Sequence, residues 1–402
     1  MTNSYQCANQ GGNNPKKHMS HPFDYTDFTG KDLIELVKSL FTGKIENIKE
    51  KLDGTNLNAT MNLNGDVVFI RNKGDINSET GGMSIEDMKN KWADNPSVAN
   101  NFVKAGQTIQ QIFSKLGIEY FNPNNDTKKI INCECISKGK TNVMIYNSDR
   151  VAFHGYKIYK RGIDEWELIE DCEGGIDDLY QAANGIDVAK PRQNLIIKDH
   201  KEANKLKSQF IKEIKTLFKN ENLSINNTIE DWKKKRFDNI KPEWLIEEVD
   251  PIFNRWFNKD KSFKANELKK IYPEYYEQLK DDKFAKQFVD KVMQPLDNLF
   301  LLIGNAFINI CEGFTNDNSK NQILDILKND LNQVINKIQS EGSDESKEIL
   351  NRQLLRLQSL GGYDNLNIAE GVVLVFKNRR MKLTGSFAPL NQIMGIIKFN
   401  RK

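Results

Sequence analysis

Strand-patterned sequence at both ends of the chain, held apart by a long helix-patterned block, is the feature that most limits the fold. Runs rich in β-branched and aromatic residues occupy 58–63, 67–70, 129–136, 143–146 and 151–159. Asn64-Gly65-Asp66 between the first two is a hairpin signal. From about 175 to 362 the period changes to that of helices, as in Ile323/Leu327/Leu331/Val334/Ile338 and Leu354/Leu357/Leu360 before Gly361-Gly362. Strand character then returns at 369–376, turns through Lys377-Asn378-Arg379-Arg380, and continues at 381–383. The last strands are expected to complete the sheet begun before residue 160, which makes the helical block an insertion, with a separate helical domain as the alternative. The expected class is α+β, with antiparallel sheets, flanking helices and a large, mostly α-helical insertion. The divisions are a loose tail over 1–22, a first part over 23–170, the helical block over 171–362, and the closing strands over 363–402. Ahead of the first strands, Leu33, Ile34, Leu36, Val37 and Leu40 form a helical stripe ended by Gly43. One further helical stretch is expected from 84 to 116.

Composition narrows the function classes. Lys+Arg 58 against Asp+Glu 55 leaves little net charge, so any nucleic-acid surface must come from local clustering. Cys7, Cys133, Cys135, Cys172 and Cys311 are scattered without a CxxC unit, which argues against a zinc site and for reduced thiols. His18, His21, His154 and His200 add no metal-ligand spacing. The first twenty residues lack an apolar signal-peptide core, and the apolar patch at 299–303 is far too short to span a bilayer. A monomer with no membrane association is expected, in the cytoplasm, or in the host cytoplasm for a viral protein.

Charged residues on apolar strands carry the chemistry, because a charge there is costly unless it is paired or faces a site. In chain order they are Lys51 of Lys51-x-Asp53-Gly54, Arg71, Glu134, an aromatic at Phe153 or Tyr156, Glu370 and Lys382. Each has an ordinary reading: Lys51 in a surface turn, Glu134 pointing outward, Lys382 guarding an edge strand, Tyr156 or Phe153 in the core. Six in this order are hard to assign to coincidence.

This set resembles the covalent nucleotidyltransferase superfamily: ATP-dependent RNA and DNA ligases and mRNA capping enzymes, which share an ATP-grasp-like ligase domain. Lys51-Leu52-Asp53-Gly54-Thr55-Asn56 looks like the nucleotide-attachment motif, and its Thr-Asn is most like phage-type RNA ligases. Arg71-Asn72-Lys73-Gly74 resembles the arginine-bearing strand exit. Glu134 matches the ribose-contacting acid, and Phe153-His154-Gly155-Tyr156 resembles the base-stacking strand, with Tyr156 as the stacker and His154 expected on the same face. Glu370-Gly371-Val372-Val373 is similar to the metal-binding motif, and Arg380-Met381-Lys382 to the final basic motif, with Arg in place of the first lysine. Lys157 stands where the family often has an acid, and the stretch from the aromatic strand to Glu370 is far longer than usual.

The resemblance implies ATP with Mg²⁺ (or Mn²⁺) at Glu370, and nucleotide contacts from Lys51, Asp53, Gly54, Arg71, Glu134, Tyr156, Arg380 and Lys382. It implies catalysis by Lys51, Arg71 and Lys382 through a lysyl-AMP intermediate, AMP transfer to a 5′-phosphate, and sealing by a 3′-hydroxyl. The lysine must attack as a free amine although its ordinary pKa is about 10.4, and neighbouring cations favour that form. About twenty residues follow Lys382, too few for the OB-fold of DNA ligases and capping enzymes, so RNA is expected ahead of DNA. The basic cluster Lys233-Lys234-Lys235-Arg236 between Trp232 and Phe237 is either a backbone-binding and base-stacking patch or a solvated helix face anchored by two aromatics. A DNA ligase, a capping-like nucleotidyltransferase and a non-catalytic nucleic-acid-binding relative stay open as alternatives.

Overall fold

In the computed structural model, β1 (Lys49–Lys51) runs antiparallel to β10 (Gly371–Phe376), so the two strand-forming ends of the chain meet. The residues described are 19–45, 48–140, 143–163, 165–173, 175–193, 195–240, 282–315, 320–367 and 369–399. β10 pairs on its other side with β11 (Arg379–Thr384), giving a three-stranded sheet in the order β1-β10-β11. The expectation that these strands complete the earlier sheet is therefore corrected: they form a second sheet. Lys377 and Asn378 link β10 to β11 with φ of 49° and 59°. A two-residue hairpin loop with both centres at positive φ matches the twist of its strands, and Asn tolerates that conformation.

The larger sheet contains β2 (Thr55–Met61), β3 (Val67–Ile70), β4 (Thr127–Ile136), β7 (Arg150–Arg161) and β8 (Trp166–Glu173) in the order β3-β2-β4-β7-β8. β9 (Val188–Ala189) lies parallel beside β7, and β5 (Gly139–Lys140) pairs with β6 (Ile145–Tyr146) apart from it. The expected hairpin joins β2 and β3, with Asn62 Oδ1 accepting from the Asn64 and Asp66 amides and Gly65 at φ 85°. β8 has no counterpart in the sequence reading. A register shift opposite Ile158/Tyr159 breaks its alternation, and Leu168 and Ile169 face solvent.

Helices cover both sheets. α1 (Gly30–Phe41) begins at a capping box in which Thr29 Oγ1 accepts from Asp32 N and Asp32 accepts from Thr29 N. α2 (Lys73–Ile76) follows β3. The single helix expected over 84–116 is two, α3 (Ile85–Lys91) and α4 (Pro96–Phe113), because Pro96 cannot continue a helix and Asn95 caps a new one. α5 (Asp177–Ala182), α6 (His200–Asn220), α7 (Ile229–Ile240), α8 (Asp282–Ile310), α9 (Glu312–Thr315), α10 (Lys320–Glu341) and α11 (Asp344–Ser359) make up the helical block, and α12 (Phe387–Phe399) follows β11. Tyr272, Tyr275 and Tyr276, singled out in the sequence, lie outside the described residues.

One core joins the small sheet to the helical block. Val372, Leu374, Met381 and Leu383 pack with Leu33 and Val37 of α1, Phe210 and Ile214 of α6, and Leu299, Phe300, Ile303 and Phe307 of α8. At about 2 kcal/mol for each large apolar side chain buried, the four from α8 make that helix part of the sheet's own core. A Cβ on Gly304 would lie 2.4 Å from the Thr384 carbonyl oxygen, so α8 approaches β11 backbone to side. Next to it, buried Asn305 accepts from the Ser386 amide at 3.0 Å and from Asn367 Nδ2 at 2.6 Å. The larger sheet has its own core, in which Leu57, Phe69, Cys133 and Phe153 meet Phe102, Ile109 and Phe113 of α4. Cys133, Cys135 and Cys311 are free and buried, as the sequence suggests. No helix among the described residues is long and apolar enough to cross a membrane.

Asn305→Ala strips two buried donors of their acceptor, and is expected to destabilise the chain by about 3 kcal/mol in urea unfolding. A loss below about 1 kcal/mol would show that these groups find other partners.

Candidate active site

Directly paired residues of an antiparallel sheet share a face. Lys51 pairs with Gly371, Lys382 with Val373, and Arg380 with Val375. These positions alternate with Val372, Leu374, Met381 and Leu383, which point into the core. The register thus places Lys51, Lys382 and Arg380 on one face of the small sheet, away from the core. Gly371 lies across from Lys51, and a Cβ there would meet the Leu383 carbonyl oxygen at 2.3 Å.

Lys51 Nζ lies 2.6 Å from Glu370 Oε1. Burial opposes the Lys51 ammonium, but Glu370, Glu134 and Asp53 together outweigh it and raise its pKa above the ordinary value. Burial pushes Glu370 up to about 7 against the pull of Lys51. Lys382 is held below the ordinary lysine value by burial and then by Lys51. The Lys51–Glu370 pair is thus one proton-holding unit beside a lysine that resists its own charge.

The turn after Lys51 is fixed by its carboxylates. Asp53 Oδ2 accepts from the Val143 and Met144 amides at 2.9 and 2.8 Å, and the Asp53 amide donates to Tyr146 Oη at 2.9 Å. Gly54 N–H donates to Glu134 Oε1 at 2.8 Å, and a Cβ at Gly54 would sit 2.5 Å from Glu134 Cγ. Only glycine leaves room for this approach. Glu134 Oε2 meets His154 Nε2 at 2.7 Å. Burial works against the Glu134 carboxylate, yet His154, Lys51 and the Gly54 amide hold its pKa down.

Three sequence expectations change. His154 and Tyr156 do not share a face, because the β4–β7 register shifts at Asn132/Cys133 and His154 is the extra residue. Phe153 and Tyr156 both pack with the α4 core, while His154 reaches Glu134. Tyr156 instead donates to Glu170 at 3.0 Å and lies beneath Lys129 Nζ. Arg71 also turns to the α4 side, where its guanidinium bonds the Asn56 carbonyl and lies over the Trp92 and Phe102 rings at 6.0 and 5.4 Å. In the helical block, Trp232 and Phe237 are core residues that cannot stack on bases, and Arg236 bonds Glu221 and the Val292 carbonyl. Lys234 and Lys235 are exposed and Lys233 half-buried, as on a solvated helix face.

Asp171 of β8 and Arg380 of β11 join the two sheets, with Lys157 beside Asp171 in the larger one. Asp171 lies 3.7 Å from Lys157 Nζ and 3.5 Å from the Arg380 guanidinium. Two further groups, His21 and Arg356, escaped the sequence reading. His21 has its pKa pulled down to about 3 by burial, then by Lys382, Arg356 and Lys51. Arg356 comes from α11, where it pairs with Asp297 of α8. Neither residue lies in a strand or in a motif, so no periodicity marks it. Among the described residues, no group of three or more His, Cys, Asp or Glu side chains is arranged to hold a metal ion.

Glu370's folded pKa lies above its unfolded value. The stability it contributes is therefore complete below pH 4.5 and is lost as pH rises toward 7. Carbon-13 titration of its side-chain carboxyl is expected to give a midpoint near 7. Lys51→Ala is expected to move that midpoint further up, because Lys51 is what holds it down. An ordinary carboxylate midpoint in both proteins would contradict the burial. No family model, curated protein or solved structure matches this chain, so a functional reading rests on this constellation of residues.

Proposed function

We propose that the chain is an ATP-dependent polynucleotide ligase acting on RNA ends through a lysyl-AMP intermediate. The observation that carries this reading is the contact between Lys51 Nζ and Glu370 Oε1 at 2.6 Å, on the face that also bears Lys382. The motif order in the sequence supports the reaction class, and Thr55-Asn56 supports RNA.

In the first step, Lys51 Nζ forms a bond to the α-phosphorus of ATP, and the bond to the bridging oxygen breaks. Pyrophosphate leaves with that electron pair. Glu370 Oε1 is the oxygen nearest the Nζ protons before nucleotide binds, and the departing pyrophosphate carries acceptor oxygens for the proton released as the P–N bond forms. Lys382 faces the negative charge that builds on the phosphates. The resting ammonium must first become an amine. Neutralising Glu370 removes its strongest attractive partner; burial and the charge of Lys382 then favour the free amine against the remaining pull of Glu134 and Asp53. Both Glu134 oxygens and Asp53 Oδ2 are committed to His154 and backbone amides, so Glu370 is the carboxylate that would hold Mg²⁺. That ion, when bound, supplies charge neutralisation at the phosphates. AMP then passes to a 5′-phosphate as the P–N bond breaks, and a 3′-hydroxyl displaces AMP to form the phosphodiester.

Incubation with Mg²⁺ and α-labelled ATP is expected to leave label on the denatured wild-type protein and none on Lys51→Ala. Lys382→Ala is expected to slow labelling by about 10²-fold or more. Absence of label with every nucleotide tried would end the ligase reading, and label surviving in Lys51→Ala would remove Lys51 from the step. Sealing of nicked RNA against nicked DNA decides the substrate.

A further inference from the structure

Residues 19–25 run beside the edge strand β11. Lys382 N–H donates to Ser20 O at 2.9 Å, and Tyr25 Oη donates to the Arg380 carbonyl. His21 stacks on Phe23 with ring centroids 5.1 Å apart and planes 11° from parallel, and Phe23 is buried in the core that holds α8. The imidazole is thereby fixed near Lys382. Arg356 arrives from α11, where Asp297 and Gln353 Oε1 hold its terminal nitrogens while its Nε is buried and makes no hydrogen bond. Phe23 in turn lies with its ring centroid 5.9 Å from that of Phe300, one turn of α8 from Asp297, so His21, Lys382 and the Asp297-bound Arg356 share one neighbourhood; the charges of Lys382 and Arg356 both act on His21.

We propose that Lys382, His21 and Arg356 form a polyphosphate subsite that takes the β- and γ-phosphates of a nucleoside triphosphate and the pyrophosphate it releases. This deepens the ligase reading and rests on it for its place beside Lys51. The chemistry is that of anion capture. Lys382 supplies a point charge, Arg356 a planar fork suited to phosphate oxygens, and His21 a neutral N–H donor. Like charges gathered in a half-buried place repel, and a phosphate relieves that repulsion. Asp297 holds the Arg356 fork in a charge pair for which an incoming phosphate competes. A purely structural Arg356 would do no more than tie α11 to α8, and the two roles predict opposite results when Asp297 loses its charge.

Inorganic pyrophosphate binding to the full chain, measured by titration calorimetry, separates them. Wild-type protein is expected to bind it. Arg356→Gln is expected to weaken binding about tenfold, the loss of one charge-assisted contact. Arg352→Gln, an exposed change on the same helix, is expected to leave binding unaltered. Asp297→Asn frees the guanidinium and is expected to tighten binding. No binding by the wild type, Arg356→Gln binding as tightly as the wild type, or weaker binding by Asp297→Asn would each overturn the subsite. If Arg356→Gln fails to fold, the Asp297→Asn result decides. Labelling of Lys51 by ATP on the same preparation tests the ligase reading separately: label with unchanged pyrophosphate affinity in Arg356→Gln sinks the subsite alone.

Discussion

The antiparallel pairing of β1 with β10 is the interaction on which the rest depends. Lys51 closes a strand of three residues, too short to hold a position by itself. Its place is set by Gly371, more than three hundred residues later in the chain. That register brings Glu370 to Lys51 Nζ and, through β11, sets Lys382 on the same face. Gly371 is needed because the Leu383 carbonyl comes too close for any side chain. Loop closure over such a distance is entropically expensive, and the apolar core beneath the small sheet offsets it. α8 belongs to that core, so the helical block stabilises the pairing that assembles the site.

Electrostatics then divides the labour among the carboxylates. Glu134 and Asp53 are bonded to backbone amides and His154, which fixes both in place, and those bonds hold the Glu134 carboxyl below its ordinary value. Glu370 is bonded to Lys51 and pushed up by burial, so its proton is exchangeable near neutrality. Groups of one chemical type, a few ångströms apart, thus serve as scaffold and as proton partner. Hydrogen-bond supply makes the difference, because burial opposes the charge on Glu134 as it does on Glu370.

Much of this was legible in the residue pattern, and the exceptions have physical causes. Lys51, Glu134, Glu370 and Lys382 could be read because a charge on an apolar strand needs a reason, and the structure gathers all four. The shared face expected of His154 and Tyr156 fails because one extra residue in β7 inverts the alternation, and a bulge leaves no mark on composition. Arg71 bonds the Asn56 carbonyl and lies over the rings of Trp92 and Phe102, partners distant in sequence that no local motif reports. β8 was missed because its outward residues include Leu168 and Ile169, which blur the contrast between faces. The union of α8 with the small sheet depends on Gly304 and Asn305 at a backbone approach, which helical periodicity does not report.

The resting state of Lys51 follows from the same arrangement. Three carboxylates around one buried ammonium hold it charged, which is the wrong form for a nucleophile. Placing a lysine among acids looks self-defeating unless the acids are answered by something that arrives with the substrate. On the proposed ligase reading, a nucleoside triphosphate would meet that condition: its phosphates would engage Lys382, and a divalent ion held at Glu370 would take that carboxylate from Lys51. The ammonium would then lose its strongest attractive partner as an electrophile arrives, so charge balance would couple reactivity to occupancy.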